Sequence, residues 1–568
     1  MQTYTSPGGL TVPPSVNVVQ QLMVRADASP EHPALAYRDG DHFVTVSTIE
    51  FWETVQELAA GLVASGVKRG DRVALHSGTR IEFTYFDYAI WTAGAATTTI
   101  YDTSSAEQVR WIISDSGSVA LISENDATLA AYTEVRDELP GIANVFVIDD
   151  GALDELKALA TDDSRAEVKA RIKAIAHDDI ATLVYTSGTT GNPKGCVLTH
   201  YNFAWNVVHV DVGIPELVGP PNQMFMFLPL AHIFARLLQA LSVSTGTSIY
   251  FSTGVPQLLE ELPMAKPTWV FSVPRVFEKI YNGAKAKADA DGKGAIFDRA
   301  AATAIAYSEG IGRGKVSIGT KLEHAVFDKL VYAKIRALFG GHTTYAISGG
   351  APLGARLGHF FRGVGVVALE GYGLTETTAA ATVNRPGEIR VGTVGKPIPG
   401  VSIRIADDGE VLIKGGMIFR GYWNNQKATD EALDGDWFHS GDIGVLDNDG
   451  YLSITGRKKE IIVTAAGKNV APAVLEDRMR SHALVSQVMV IGDAKPFIAA
   501  LVTIDDEALP QWAAANGKEG LSPQELRADE DLVAAVQASV DYANKAVSSA
   551  ESVKEIRILP QDLTIEGG

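Results

Sequence analysis

Helix patterns alternate with short apolar runs along the first part of this chain, and that alternation is the tightest constraint on its fold. Ser47-Thr48-Ile49-Glu50 has capping-box spacing. The helix it opens places Phe51, Val55, Leu58, Ala59 and Leu62 on one face. After Gly66 and Gly70, the run Val73-Ala74-Leu75 predicts a strand. The unit recurs: Ser104-Ser105-Ala106-Glu107 opens a helix carrying Val109, Ile112 and Ile113, and Val119-Ala120-Leu121-Ile122 follows. Helices alternating with β-rich runs predict a parallel sheet covered on both faces.

The texture changes twice. Residues 282–345 are rich in Ala, Lys and Asp and read as mostly helical, with breaks around 309–314. From about 390, Asp407-Asp408-Gly409 and Asn448-Asp449-Gly450 sit between alternating runs, which predicts antiparallel hairpins. Beyond 456 the order is strand, helix (Pro472 to Met479), two strands (Val485 to Ile491, Phe497 to Ile504) and further helices, with a start at Ser522-Pro523. Residues 1–16, polar and rich in Pro and Gly, read as a loose arm.

Length and charge bound the function. At roughly 150 residues per domain, 568 residues allow about four compact units. The lone Cys196 cannot pair within the chain, which fits a reducing cytosol or simple avoidance of thiols. A formal charge of −19 argues against nucleic acid as main partner. No apolar run reaches the ~18 residues of a membrane span, and no basic start precedes an apolar core as in a secretory signal. A cytoplasmic location is the expectation.

Four segments carry chemistry. The first is Tyr185-Thr186-Ser187-Gly188-Thr189-Thr190-Gly191-Asn192-Pro193-Lys194-Gly195. Its glycines let backbone approach an anion closely, its hydroxyls donate to phosphate oxygens, and Lys194 adds positive charge. It is no P-loop, because Lys194 is followed by Gly195. The second and third are Ile347-Ser348-Gly349-Gly350-Ala351-Pro352 and Glu370-Gly371-Tyr372-Gly373-Leu374-Thr375-Glu376-Thr377. Tyr372 offers a flat face to a base, Thr375 a hydroxyl, and Glu376 a hard oxygen suited to Mg²⁺; alone, each is equally a turn with incidental polar residues. The fourth joins His439-Ser440-Gly441-Asp442 to Thr455-Gly456-Arg457-Lys458-Lys459-Glu460. Asp442 can accept a ribose diol and Arg457 can grip phosphate, or the two are a hairpin turn and a solvated charge run. The stretch Gly363 to Ala368 fits a loose dinucleotide fingerprint but leaves little room for the required helix. His232, alone after an apolar run, reads by itself as structural.

Taken together, these segments resemble the adenylate-forming superfamily of acyl-CoA synthetases, peptide-synthetase adenylation domains and firefly luciferase. Leu183 through Lys194 fits the superfamily's AMP-binding signature, the remaining segments follow in its order through Ala466-Gly467-Lys468-Asn469, and the likeness runs from about 30 to 560. Val273 to Ile280, the helical insert, and Gly456 to Pro472 look most like a bacterial long-chain fatty-acid–CoA ligase. The resemblance implies an α/β fold. A large N-terminal domain (1–456) would hold doubly wound mixed sheets and a β-barrel-like antiparallel part, and a small, mobile α+β domain (457–568) would close the chain.

It also implies a reaction: a fatty carboxylate attacks MgATP to give acyl-AMP, and CoA then displaces AMP. Residues 186–194 (Thr186, Ser187, Gly188, Thr189, Thr190, Gly191 and Lys194 among them) would hold phosphates. Thr186 and Glu376 would hold Mg²⁺. Gly349, Gly350, Glu370, Gly371 and Tyr372 would line the adenine site, Thr375 would touch the α-phosphate, and Asp442 the ribose. His232 would sit by the carboxylate, which reverses the reading given above. Arg457 would track phosphate, Lys459 would be the hinge, and Gly467 and Lys468 would flank CoA. Thr186, Lys194, His232, Glu376 and Arg457 are the expected catalytic set. A lipid substrate fits peripheral membrane contact, and the oligomeric state is not readable. The superfamily's C-terminal lysine has no counterpart after Lys554 before the chain stops at Leu563-Thr564-Ile565-Glu566-Gly567-Gly568, so weak adenylation with better-preserved thioester formation is expected. Two alternatives stand beside the CoA ligase: a fatty acyl-AMP ligase that hands the acyl group to a carrier protein, and a catalytically impaired acyl- or nucleotide-binding protein.

Overall fold

The computed structural model describes residues 2–186, 192–465 and 467–563. The helix starts read from sequence form as capping boxes: Ser47 accepts from the Glu50 amide ahead of Thr48–Ala64, and Ser105 accepts from that of Gln108 ahead of Ala106–Ser116. The strands after them pair in parallel. Arg72–His76 lies between Ala96–Ile100 and Ala120–Ser123 in a seven-stranded sheet. Ile180–Thr186 extends that sheet in parallel, and Lys194–Thr199 turns back antiparallel beside it.

A nine-stranded sheet stands with it. Its parallel centre runs Val367–Tyr372, Tyr345–Ser348, Trp269–Ser272, Gln223–Met226, Ser248–Phe251 and Pro33–Asp39, with antiparallel strands at both ends. Met224 and Met226 pack into one core and Phe225 and Phe227 into another, as period-2 side chains of a doubly covered strand must. The insert folds as helices Pro274–Ala290, Gly294–Gly312 and Ile318–Phe327, a π turn Asp328–Tyr332 and helix Ala333–Leu338. Gly363 to Ala368 is the end of helix Ala355–Val364 turning through Gly365 into a strand, not a nucleotide loop.

The third sheet is antiparallel throughout, and both sequence hairpins are in it: Ser402–Ile405 with Glu410–Lys414, and Trp437–Leu446 with Leu452–Arg457. Its edge corrects the reading of the N-terminus. Residues Gln2–Thr5 are not a loose arm but a strand, paired antiparallel to Ser402–Ile405, with the Thr5 and Ser402 hydroxyls 2.8 Å apart. A polar edge strand has no apolar alternation to betray it, and its partner lies some 400 residues away in sequence.

The last part has its own core, built from Ile462 to Val553 around the strands Val485–Ile491, Ile498–Ile504 and Val553–Ile558. It meets the first helix of the insert and helix Ala355–Val364 through charge. Arg275 donates to the Ser486 carbonyl at 3.3 Å and to Asp505 at 3.2 Å, Lys279 to Glu507 at 3.1 Å, and Arg356 to the Ser481 carbonyl at 3.2 Å. No helix among the described residues is long and apolar enough to cross a membrane.

Candidate active site

The carboxyl ends of the parallel strands carry most of the residues singled out above, where open α/β sheets bind ligands. Thr186 closes its strand and Lys194 opens the return strand, directly opposite it in register. Between them, Ser187, Gly188, Thr189, Thr190 and Gly191 lie outside the described residues. One helix, Ala106–Ser116, pins both stems of this segment. The Trp111 indole donates to the Pro193 carbonyl at 2.9 Å, and the Tyr185 hydroxyl donates to Asp115 Oδ2 at 2.6 Å. The Trp423 indole donates to the Asp115 carbonyl at 2.9 Å. Trp111 and Asp115 stand four apart, so they share a helix face.

Beside these stems the buried Glu376 accepts the Tyr422 hydroxyl at 2.7 Å. The Lys194 ammonium sits 5.0 Å from the centre of the Tyr422 ring, within cation–π range. Cys196 lies below, fully buried, its Sγ 4.0 Å from Thr186 Oγ1. Burial first, then the charge of Glu376, pushes the Cys196 thiol well above its ordinary pKa. Thr186 and Lys194, and the sequence-distant Glu376, thus converge around Tyr422 and Cys196.

A second cluster lies where the nine-stranded sheet meets the antiparallel one. The Tyr372 hydroxyl donates to Asp442 Oδ2 at 2.5 Å, and Arg457 Nε stands 3.2 Å from Asp442 Oδ1. Asp442 and Arg457 are cross-strand partners. Burial raises the Asp442 carboxyl above its usual range against the pull of Tyr372 and Arg457. Burial and that carboxylate keep the Tyr372 phenol protonated. Gly373 leaves no room for a side chain, since a Cβ there would meet the Ala379 carbonyl at 1.4 Å, and at Gly371 a Cβ would press on the Thr382 carbonyl at 3.1 Å. Gly349 and Gly350 follow Ser348. A Cβ at Gly349 would press on the Phe234 ring at 3.3 Å, and Gly350 has φ +81°. Thr375, buried, opens the single turn Thr375–Thr377.

His232 caps helix Ile233–Thr245, its Nδ1 accepting the Phe234 amide at 3.1 Å. That bond leaves Nε2 as the protonated nitrogen of the neutral ring. Its loop is tied to the other sheet, with Thr79 donating to the Leu228 carbonyl at 2.8 Å and Thr99 to that of Ala231 at 3.0 Å. The surrounding protein lowers the His232 pKa, so the imidazole is neutral at pH 7.

Glu370 is held by backbone partners: its carboxylate accepts the Leu353 amide at 3.2 Å and its carbonyl accepts the Asn384 amide at 2.8 Å. Lys459 is exposed in the turn after Arg457, while Lys458 is held by Asp408 at 2.5 Å and Glu410 at 3.0 Å. Gly467, at φ +75°, and Lys468 lie in the hairpin between Ile462–Val463 and Asn469–Val470, and Lys468 pairs with Glu551 at 3.2 Å. That hairpin belongs to the last part of the chain. Sequence reasoning missed Tyr422, Phe234, Trp111 and Asp115. The one signal for the last two is a Trp and an Asp four apart on the polar side of an amphipathic helix.

Among the described residues no group of three or more His, Cys, Asp or Glu is placed to hold a metal ion. The hard oxygens of Glu376 and Thr186 instead suit an ion whose other ligands are phosphates and water, the manner in which Mg²⁺ is usually bound.

The family model described as AMP-binding enzyme matches residues 22–423, and its C-terminal-domain model matches 459–565. The chain is 46% identical over 572 residues to the long-chain-fatty-acid–CoA ligase FadD15 of Mycobacterium bovis, covering 100% of this chain and 95% of that protein. It is 29% identical over 603 residues to the long-chain-fatty-acid–CoA ligase ACSBG2 of Xenopus laevis, covering 98% and 80%. Among solved structures, the anthranilate CoA ligase AuaEII in complex with anthranoyl-AMP superposes with a TM-score of 0.72 at 20% identity, covering 97% of this chain and 94% of that one. A Mycobacterium tuberculosis fatty acyl CoA synthetase gives 0.64 at 24% identity, covering 96% and 94%. These two likenesses speak to the fold alone.

Proposed function

This chain belongs to the AMP-binding enzyme family, and we propose that it is a long-chain-fatty-acid–CoA ligase that forms acyl-AMP from ATP and then transfers the acyl group to CoA. The observation that carries the reading is full-length identity of 46% to a curated long-chain ligase, FadD15. It favours CoA over a carrier protein as acceptor, and an enzyme over a binding protein.

In the first step a carboxylate oxygen bonds to the α-phosphorus of ATP and the bond to pyrophosphate breaks. In the second the CoA thiolate bonds to the acyl carbon and AMP leaves. The fatty carboxylate is already ionised at neutral pH, so the first step needs no base. It needs two anions brought together, and fixed positive charge does most of that work. Lys194, steadied over Tyr422, faces the phosphates, and Arg457 supplies a guanidinium beside them. Mg²⁺ bound with ATP would be held by Glu376 and Thr186 and would neutralise phosphate charge. Asp442 takes the ribose hydroxyls, with Tyr372 against the base and the Gly349, Gly350 and Gly371 backbone lining the same pocket. Neutral His232 orients the carboxylate without adding charge. Residues 1–456 form the ATP- and acyl-binding part. Residues 457–568 turn about Lys459 between steps, which brings Gly467 and Lys468 to the CoA channel.

The test is turnover with ATP, Mg²⁺, palmitate and CoA, repeated across acids from C6 to C18. Equimolar AMP and acyl-CoA, fastest with long chains, are expected. Acyl-AMP that accumulates with CoA present would move the acceptor to a carrier protein.

A further inference from the structure

The helical insert presents a surface that the reaction does not use. Along helix Ile318–Phe327 and the turn after it, Ile318 is 78% exposed, Leu322 67%, Val326 57% and Leu330 55%. They recur every fourth residue, so they form one stripe rather than scattered apolar positions. The opposite side of the same segment is satisfied: Phe327 and Tyr332 are buried in the insert's core, and His324 bonds the Gly363 carbonyl at 2.6 Å.

Charge says what fits the stripe. Between 311 and 338 the chain carries six Lys and Arg against two Asp and Glu, within a protein whose net charge is −19. Both acids are occupied internally, Glu323 by Arg299 at 2.5 Å and Asp328 by Arg336 at 2.7 Å. Lys315, Lys321, Lys329 and Lys334 are exposed, and among the described residues none of them is in an ion pair. An apolar stripe flanked by free lysines matches an anionic lipid surface, whose hydrocarbon takes Leu and Ile while its headgroups take ammonium.

We propose that the face bearing Ile318, Leu322, Val326 and Leu330, flanked by Lys315, Lys321, Lys329 and Lys334, docks this protein on the surface of an anionic lipid bilayer. The proposal rests on the surface itself and stands whether or not the chain is a long-chain ligase. The apolar stripe anchors. The lysines orient, locally reversing the repulsion that the acidic protein as a whole meets at such a membrane.

Flotation of the full chain with vesicles tests it, using phosphatidylcholine alone and phosphatidylcholine with about a third phosphatidylglycerol. Binding to the anionic vesicles and not the neutral ones is expected at about 0.1 M salt, falling at least tenfold at about 1 M. Leu322→Asp/Val326→Asp and, separately, Lys321→Glu/Lys329→Glu should each weaken binding about tenfold or more. Both pairs lie on the exposed surface, so circular dichroism and turnover with a water-soluble short-chain acid should match the parent. No binding to either vesicle overturns the proposal, as does binding that neither pair alters. A parent that is dimeric by light scattering and becomes monomeric in Leu322→Asp/Val326→Asp, with no vesicle binding, assigns the face to a second copy of this chain and overturns it too.

Discussion

Asp442 shows how one residue can be tuned against itself. Burial raises its pKa, while Tyr372 and Arg457 favour its charged form. A raised carboxyl pKa means that the folded protein takes up this proton at higher pH than the unfolded chain does. The residue therefore subtracts stability at neutral pH, and that penalty fades as pH falls through its folded value. Nucleotide binding runs the other way, because only the carboxylate accepts two ribose hydroxyls. AMP affinity, measured by calorimetric titration, should therefore fall with acidification before an ordinary aspartate near 3.8 would titrate. Asp442→Asn should weaken AMP about 10- to 100-fold and remove that acid limb. An unchanged pH profile would take Asp442 out of the ribose site. Asp442 itself was legible in sequence because a carboxylate after a glycine is a recognisable local pattern. Tyr422 was not, because its role exists only once two distant strands bring it under Lys194 and against Glu376.

Elements, rather than single residues, decide how the loop and the hinge are held. Helix Ala106–Ser116 is expected from its start signal and its apolar face, yet Trp111 and Asp115 are what grip the stems of the 186–194 segment at Pro193 and Tyr185. Hydrophobic periodicity reports the side that packs and is silent on the side that positions. The edge strand Gln2–Thr5 escaped for a related reason, since its pairing is long-range and its side chains are polar. Lys458 is tied to Asp408 and Glu410 while Lys459 is exposed, so the rotation proposed above would fall at the second residue of the turn. Lys459→Pro, which fixes φ near −65°, should therefore slow one half-reaction at least tenfold more than the other. Pyrophosphate exchange reads the first step and acyl transfer from supplied acyl-AMP reads the second. Equal losses in both would place the hinge elsewhere.

At the scale of the molecule, the two large sheets and the antiparallel sheet share one continuous core, while the part from Ile462 onward is built round a separate one. Between that part and the insert stand largely exposed ion pairs such as Arg275–Asp505 and Lys279–Glu507, each worth no more than about 1 kcal/mol. Scanning calorimetry of the full chain should therefore resolve two transitions, drawn further apart by salt as those pairs are screened. A single transition with matching calorimetric and van't Hoff enthalpies would show that the interface couples the two parts. The separate core from Ile462 onward coincides with the change in sequence from hairpins to a small α+β pattern. The ion pairs between the two parts were not legible there, because no local pattern says which surfaces will meet. One thiol in 568 residues, Cys196, sits buried beside Thr186, sealed and protonated. A mixed anhydride of a fatty acid with AMP acylates whatever thiolate it can reach. With its own sulphur locked away as a thiol, the protein offers that intermediate no thiolate to compete with the sulphur that arrives with CoA.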